Sequence, residues 1–477
     1  MADKILKIYN ATGRTGNIIL LGLIILFGFI NRMFMAVKYR EADYIIEAGL
    51  IVLALIIVRK LFKRSDQLFH NRKVKLFRII LYAGIFMRIL FAAHDLMNRP
   101  VQDSDYEKHE KLGQRIADEG EFYDFAGVEL RNFRQPGLPL IFAAGLKIYN
   151  HPVTFSIVMI LFSFGILIAG YYLFRDLDNI ASFLIFVYLS ISPNMLMMAS
   201  NSNTQLSFFF ILIILFIVLK NFRGKTYELL LIGALLAAEM YIRFNFLMIF
   251  LLIPFFMEIY KEKKITFAAG KFAVVLAGFL ILYSPWIIRN YYTYGTIRLM
   301  PTSGLGLYST NVTKEPGKVG DYNGVPDSVL KKYSHLSEME FDEALRNEAI
   351  EFVKENPDVY LKGMPYKMFK YAGRQDWTIS YFFQYTEYKG DRITETIFQS
   401  VENFLLWLIL FYSVFYLFRN KKFGALPVYI LWSYLIYTLI LFPVSETRSR
   451  YNFPYILFPI IAVSLTGRGD KPVKENN

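Results

Sequence analysis

Two aspartates stand just beyond the end of an apolar segment, in Arg99-Pro-Val-Gln-Asp103-Ser-Asp105-Tyr106. A carboxylate placed there meets lipid head groups at a membrane surface. It can take a proton from an acceptor hydroxyl or amine as a general base, or hold a divalent cation through oxygen. Asp103 and Asp105 equally suit the cap of a helix starting near Tyr106, because Asp is a favoured N-cap. Downstream, Arg131-Asn-Phe-Arg134-Gln-Pro136-Gly137-Leu-Pro139 carries two planar guanidinium groups and a Pro-Gly turn signal. Arg131 and Arg134 either grip a phosphate or snorkel at the interface. In Glu239-Met-Tyr-Ile-Arg243 the i, i+4 spacing puts both charges on one face if the helix continues that far. Arg243 then serves a bound head group or pairs with Glu239, since charge inside a bilayer needs a cavity or a partner.

The elements that must hold these residues are long apolar helices. Of 477 residues, 55% are apolar and 19% are charged, against about 25% charged in ordinary soluble domains. The apolar residues come in blocks that match the roughly 20 residues a helix needs to cross a bilayer. Gly16–Val37 and Pro152–Phe174 are examples. About twelve such spans are expected, at 15–37, 43–62, 76–97, 152–174, 178–197, 203–220, 227–242, 244–258, 267–288, 399–418, 425–444 and 452–467. The first block is read as a retained helix, being too long for a signal core and without a small-residue cleavage site. The fold class is therefore an all-α polytopic membrane protein.

Lys and Arg in short loops set the orientation. The basic segments 59–75, 220–225, 261–264 and 419–422 fall on one side with both termini, which makes that side cytoplasmic. The net charge of +13 then reads as topology and contact with anionic membrane lipid, and no compact basic domain points to nucleic acid. Two long connections, 98–151 and 290–401, fall on the other side. They carry mixed charge, and Met339–Glu355 has helical patterning, so both are expected to fold. Arg88 lies inside the third span, and Glu47 and Lys271 are placed to snorkel. The chain has no cysteine, which excludes disulfides and thiolate chemistry. The five histidines show no paired ligand spacing, and there is neither a Gly-rich phosphate loop nor a nucleophile elbow.

Taken in order, Asp103, Gly120–Tyr123, Arg134–Pro139, Ser284-Pro-Trp286-Ile-Ile-Arg289-Asn290, Gly295, Thr302-Ser-Gly304 leading to Asn311, and Arg450-Tyr451-Asn-Phe-Pro454 resemble the GT-C superfamily of membrane glycosyltransferases. The likeness is to the branch with protein O-mannosyltransferases and the bacterial aminoarabinose transferase, and it spans about residues 76–467. The resemblance implies a bacterial plasma-membrane enzyme that moves a sugar from a polyprenyl phosphate to a lipid, polysaccharide or protein acceptor on the outer face. It implies an Asp general base, best matched by Asp103 with Asp105 as the neighbour. It implies basic residues on the donor phosphate, here Arg134 and Arg289, with Arg450 near the donor groove; Arg243 joins them on its own placement. No cofactor is required beyond a possible divalent cation. Gln205 stands where many relatives carry an acid, and Asp103-Ser104 where they carry Asp-Glu.

The expected organisation is an N-terminal helical hairpin (1–75), a catalytic core (76–289) containing the first outer loop, a second outer loop (290–398), and terminal helices with a tail (399–477). A transporter or flippase for lipid-linked saccharide is the competing reading. It would tolerate loss of the Asp103 carboxylate, which an enzyme using that base would not.

Overall fold

The computed structural model describes residues 2–39, 42–63, 67–97, 105–122, 124–125, 129–130, 135–177, 179–197, 203–220, 224–243, 265–295, 297, 303–373, 377–385, 391–420, 423–444 and 455–467. These are helical almost throughout. The exception is a short antiparallel pairing of Asp124 with Leu130 and Phe125 with Glu129.

Long apolar helices dominate. Among the described residues, five are long and apolar enough to cross a membrane: Ile8–Lys38, Arg72–Met97, Val153–Phe174, Ala268–Tyr294 and Arg392–Arg419. They lie within α1 (Ala2–Tyr39), α3 (Gln67–Met97), α6 (Val153–Phe174), α11 (Ile265–Tyr294) and α17 (Arg392–Arg419). Large apolar side chains stay exposed along them, such as Ile19 and Leu26 on α1, Phe86 and Ile89 on α3, and Ile281 and Ile288 on α11. Water would penalise so much apolar surface, whereas lipid does not.

Helices α2 (Ala42–Lys63), α9 (Asn203–Lys220), α10 (Thr226–Ile242) and α18 (Ala425–Val444) complete the bundle. Helix α10 packs on α11, α6 on α9, and α3 on α6 and α7 (Ile180–Ile191). Glycines set the close crossing of α10 and α11. A Cβ at Gly233 would lie 2.0 Å from the Val275 carbonyl oxygen, and one at Gly278 would lie 2.2 Å from that of Leu230. Only bare backbone fits there, as at small-residue crossings in membranes.

The first hairpin joins the last helices. On α1, Asn17 donates to the Leu431 carbonyl at 2.8 Å. Arg32 donates to the Ala372 carbonyl at 2.8 Å and to Asn403 at 2.9 Å. Glu47 on α2 lies 3.4 Å from Arg32, with both side chains buried. Glu47 therefore does not snorkel, and an ion pair satisfies its charge inside the apolar layer. Lys271 instead donates to the Gly224 carbonyl in the loop before α10.

The segment 178–197 departs from the expected single span. It is α7 followed by a separate short helix, α8 (Pro193–Met197), because Ser192 turns extended and Pro193 cannot continue the ladder. Similarly, 455–467 holds only one short α-helix, α19 (Phe458–Ser464), flanked by 3-10 turns. The expected span 244–258 lies outside the described residues.

In the segment 98–151, α4 (Asp105–Glu119) forms where a helix is expected from near Tyr106, and α5 (Gly137–Ile148) follows. Gly113 lets α4 sit directly on Phe142 and the Pro139 carbonyl of α5. The segment 290–401 holds α12 (Ser303–Asn311), α13 (Asp327–Lys332), α14 (Glu338–Glu355), α15 (Pro357–Tyr371) and α16 (Trp377–Tyr385). Helix α14 starts with a reciprocal Ser337–Glu340 capping box, at the position the patterning of 339–355 marks.

Candidate functional site

The C-terminal end of α11 is shaped by its own sequence. Pro285 lies inside the helix and has no N–H to give the Ile281 carbonyl. Ser284 donates its hydroxyl to that carbonyl at 3.3 Å, and Tyr241 on α10 donates to the next one, Leu282, at 3.0 Å. The final turns of α11 are thus fixed against α10. Tyr241 also packs on Trp286, with ring centroids 6.4 Å apart.

Arg289 lies one turn beyond Pro285. Its guanidinium donates to the Phe122 carbonyl, just past α4, at 3.1 Å and to Asn290 Oδ1 at 3.1 Å. It sits over the rings of Trp286 (4.9 Å), Phe122 (5.6 Å) and Tyr294 (5.9 Å), and Phe122 meets Trp286 edge-on at 5.3 Å. Aromatic faces favour a cation and limit water around it. Phe122 reaches this place because Gly120 ends α4 with φ +75°, donating back to the Ile116 carbonyl.

Two further motif segments converge here. A Cβ at Gly137 would lie 2.6 Å from the Tyr241 carbonyl, so the start of α5 rests on the end of α10. Pro136 caps α5 instead of forming a free turn. Arg243 follows at once. It is the C-cap of α10, with φ −149° and ψ 117°, so the helix does not continue through it. Its amide still bonds the Glu239 carbonyl at 2.9 Å, so the i, i+4 relation of Glu239 and Arg243 holds up to the cap, where the helix ends. Below the same corner, Tyr294 donates to Glu338 at 3.0 Å. Gly304 docks α12 on α14 where a Cβ would fall 1.8 Å from the Asp342 carbonyl oxygen.

The structure thus brings Arg289, Arg243 and the Pro136-Gly137 start of α5 to one corner. Asp105 is elsewhere. It opens α4, whose 15 residues run roughly 21 Å at about 1.5 Å per residue, with Phe122 just past the other end. Asp103, Arg131, Arg134 and Arg450 lie outside the described residues, as do Tyr123, Thr302 and the side chains of Asp105 and Gln205. Among the described residues, no group of three or more His, Asp or Glu is placed to hold a metal ion.

Sequence reasoning missed three contributors. The Phe122 carbonyl has no side-chain signature. The ring of Trp286 lay inside a quoted motif but had no assigned role. Glu402, buried in α17, was signalled by an acid within an apolar span. No family model matches the chain, and no curated protein or solved structure matches it either.

Proposed function

We propose that this chain is a membrane glycosyltransferase that moves a sugar from a polyprenyl phosphate to an extracytoplasmic acceptor. The observation that carries the reading is the Arg289 corner. A guanidinium held over three rings, beside Arg243 and the α5 start that follows Arg134, is suited to stabilise a leaving phosphate. Asp103 is the proposed base that takes the acceptor's proton as the anomeric carbon is attacked. Asp103 lies two residues before Asp105, within about 7 Å of the start of α4, so the reading requires α4 to move until that end comes to Arg289. In the same reading the chain crosses the membrane about twelve times, with both termini cytoplasmic. The basic short loops support that orientation.

The test uses purified protein with a polyprenyl phosphate sugar, following donor consumption and product mass. Wild type should consume this donor and leave a nucleotide sugar untouched. Asp103→Asn keeps size and capping ability but cannot accept a proton, so turnover should fall by about 100-fold or more. Full activity in both Asp103→Asn and Asp105→Asn would sink the base assignment and reopen the transporter reading.

A further inference from the structure

Helices α7 and α8 are one helix interrupted in mid-bundle. Continuity would need the residue 193 amide to bond the Leu189 carbonyl, and the Asn194 amide to bond that of Ser190. Pro193 has no amide hydrogen, and Ser192, with φ −62° and ψ 130°, turns Asn194 away. Three carbonyls (Leu189, Ser190 and Ile191) and the amides of Asn194 and Met195 lose their helical mates, and inside an apolar bundle such groups need protein partners. Ser192 Oγ takes the Met195 amide at 3.3 Å. The Leu189 and Ser190 carbonyls and the Asn194 amide are left for partners from elsewhere.

Those partners are charged and come from two other helices. Arg88 of α3 donates to the Leu189 carbonyl at 2.7 Å and to the Ser190 carbonyl at 2.8 Å. These are two of the three oxygens that the break releases. It also holds Ser163 of α6, donating to its carbonyl and hydroxyl at 3.1 Å each. Glu402 of α17 accepts the Asn194 amide at 3.1 Å, together with the hydroxyls of Tyr188 and Ser192. Arg88 is 3% exposed and Glu402 fully buried. The signs agree with the local dipoles, cation on carbonyls and anion on amide. In transporters the groups freed by such a break hold an ion or substrate; here Arg88 and Glu402 already occupy them.

We propose that Arg88 and Glu402 are positioning residues, a two-sided clasp across the Ser192–Pro193 break that fixes the outer ends of α3, α8 and α17. Directly outward of the clasp, Met197 of α8 packs with Phe382 and Phe383 of α16, Phe91 of α3 and Phe398 of α17. His94 meets the Phe382 ring at 5.4 Å. From this layer α3 runs on to the segment carrying Asp103, and α8 leads toward Asn203. The clasp sets where that segment departs, and its effect on turnover rests on the glycosyltransferase reading. The geometry of the break does not.

The experiment is a double-mutant cycle of Arg88→Lys, Glu402→Gln and the pair. Lys keeps the charge but not the fork that spans two carbonyls, and Gln keeps the size but turns a donor toward one of three donors. Hydrogen–deuterium exchange over residues 188–197 reads the clasp without any assay of activity. Each single variant should speed exchange there by about tenfold, and the pair by clearly less than the product of the singles, because the two share one element. In turnover assays kcat should fall by about tenfold while the KM for donor holds, since Arg289 is untouched. Independent, multiplying effects on exchange overturn the clasp, and wild-type kcat in variants whose break has loosened overturns its positioning role. Wild type without turnover removes the glycosyltransferase reading and the positioning role together, while coupled exchange would leave the clasp itself standing.

Discussion

Arg289 shows how one side chain is prepared by its neighbours. Its guanidinium donates to a loop carbonyl and to Asn290, and it sits over three rings. A lysine would keep the charge but lose the planar fork and much of the stacking. In the proposed reaction, Arg289→Ala should raise the donor KM or lower kcat/KM by about 10- to 100-fold, the usual weight of a charge-assisted bond. Arg289→Lys should recover only part of it, and an unchanged kcat/KM in Arg289→Ala would remove Arg289 from the donor site. A second residue-scale case lies in α15, where Lys367 is fully buried beside the Tyr360 ring. Burial, with the Lys370 ammonium nearby, pushes the Lys367 amine down to about 7 from 10.5. Between those values the unfolded chain binds more protons than the folded one, so stability rises with pH across that window. The slope reaches up to about 1.4 kcal/mol per pH unit. Melting in detergent at pH 7 and pH 9 should show the increase, and Lys367→Met should flatten it.

At the scale of elements, α10 and α11 matter most, because their C-terminal ends carry Tyr241, Arg243, Trp286 and Arg289. Gly233 and Gly278 let the two backbones touch. A larger residue there must push the helices apart, and the corner opens with them. Gly278→Val should destabilise the protein by about 1–3 kcal/mol and lower donor use even where folded protein is recovered. Gly270 is the control, since a Cβ at that position meets nothing within 4 Å. Gly270→Ala should melt and turn over like wild type. Equal effects at Gly270 and Gly278 would show that helix propensity, not the crossing, was being measured.

For the whole molecule, the bundle is closed by joining its beginning to its end. Helix α1 lies against α18 and α17 through Asn17, Gly28 and Arg32, and the Arg32–Glu47 pair locks α2 to the same place. The absence of cysteine makes orientation directly testable. Single cysteines at Ser104 and Ser328 should react with an impermeant maleimide on intact cells, while one at Ser65 should not. The reverse pattern would place the Arg289 corner on the cytoplasmic side and end the proposed use of an extracytoplasmic acceptor.

Some of this was legible in the residues alone. The blocks around 16–37 and 152–174 announce membrane helices because hydropathy is a local property that no distant contact reverses. The amphipathic repeat after Asp105 located α4, and the pattern of 339–355 located α14, since period and capping act within a few residues. Pro193 lies inside the expected single span 178–197, and its break was not expected. Which side chains would answer that break depended on tertiary structure, because Arg88 and Glu402 arrive from separate helices. The Phe122 carbonyl on Arg289 was equally invisible, since every residue carries such a carbonyl and only the fold decides where it points. Sequence determined which segments seek lipid and which groups carry charge. The tertiary structure decided which charges meet, because buried backbone and side-chain polar groups must find partners wherever packing brings them.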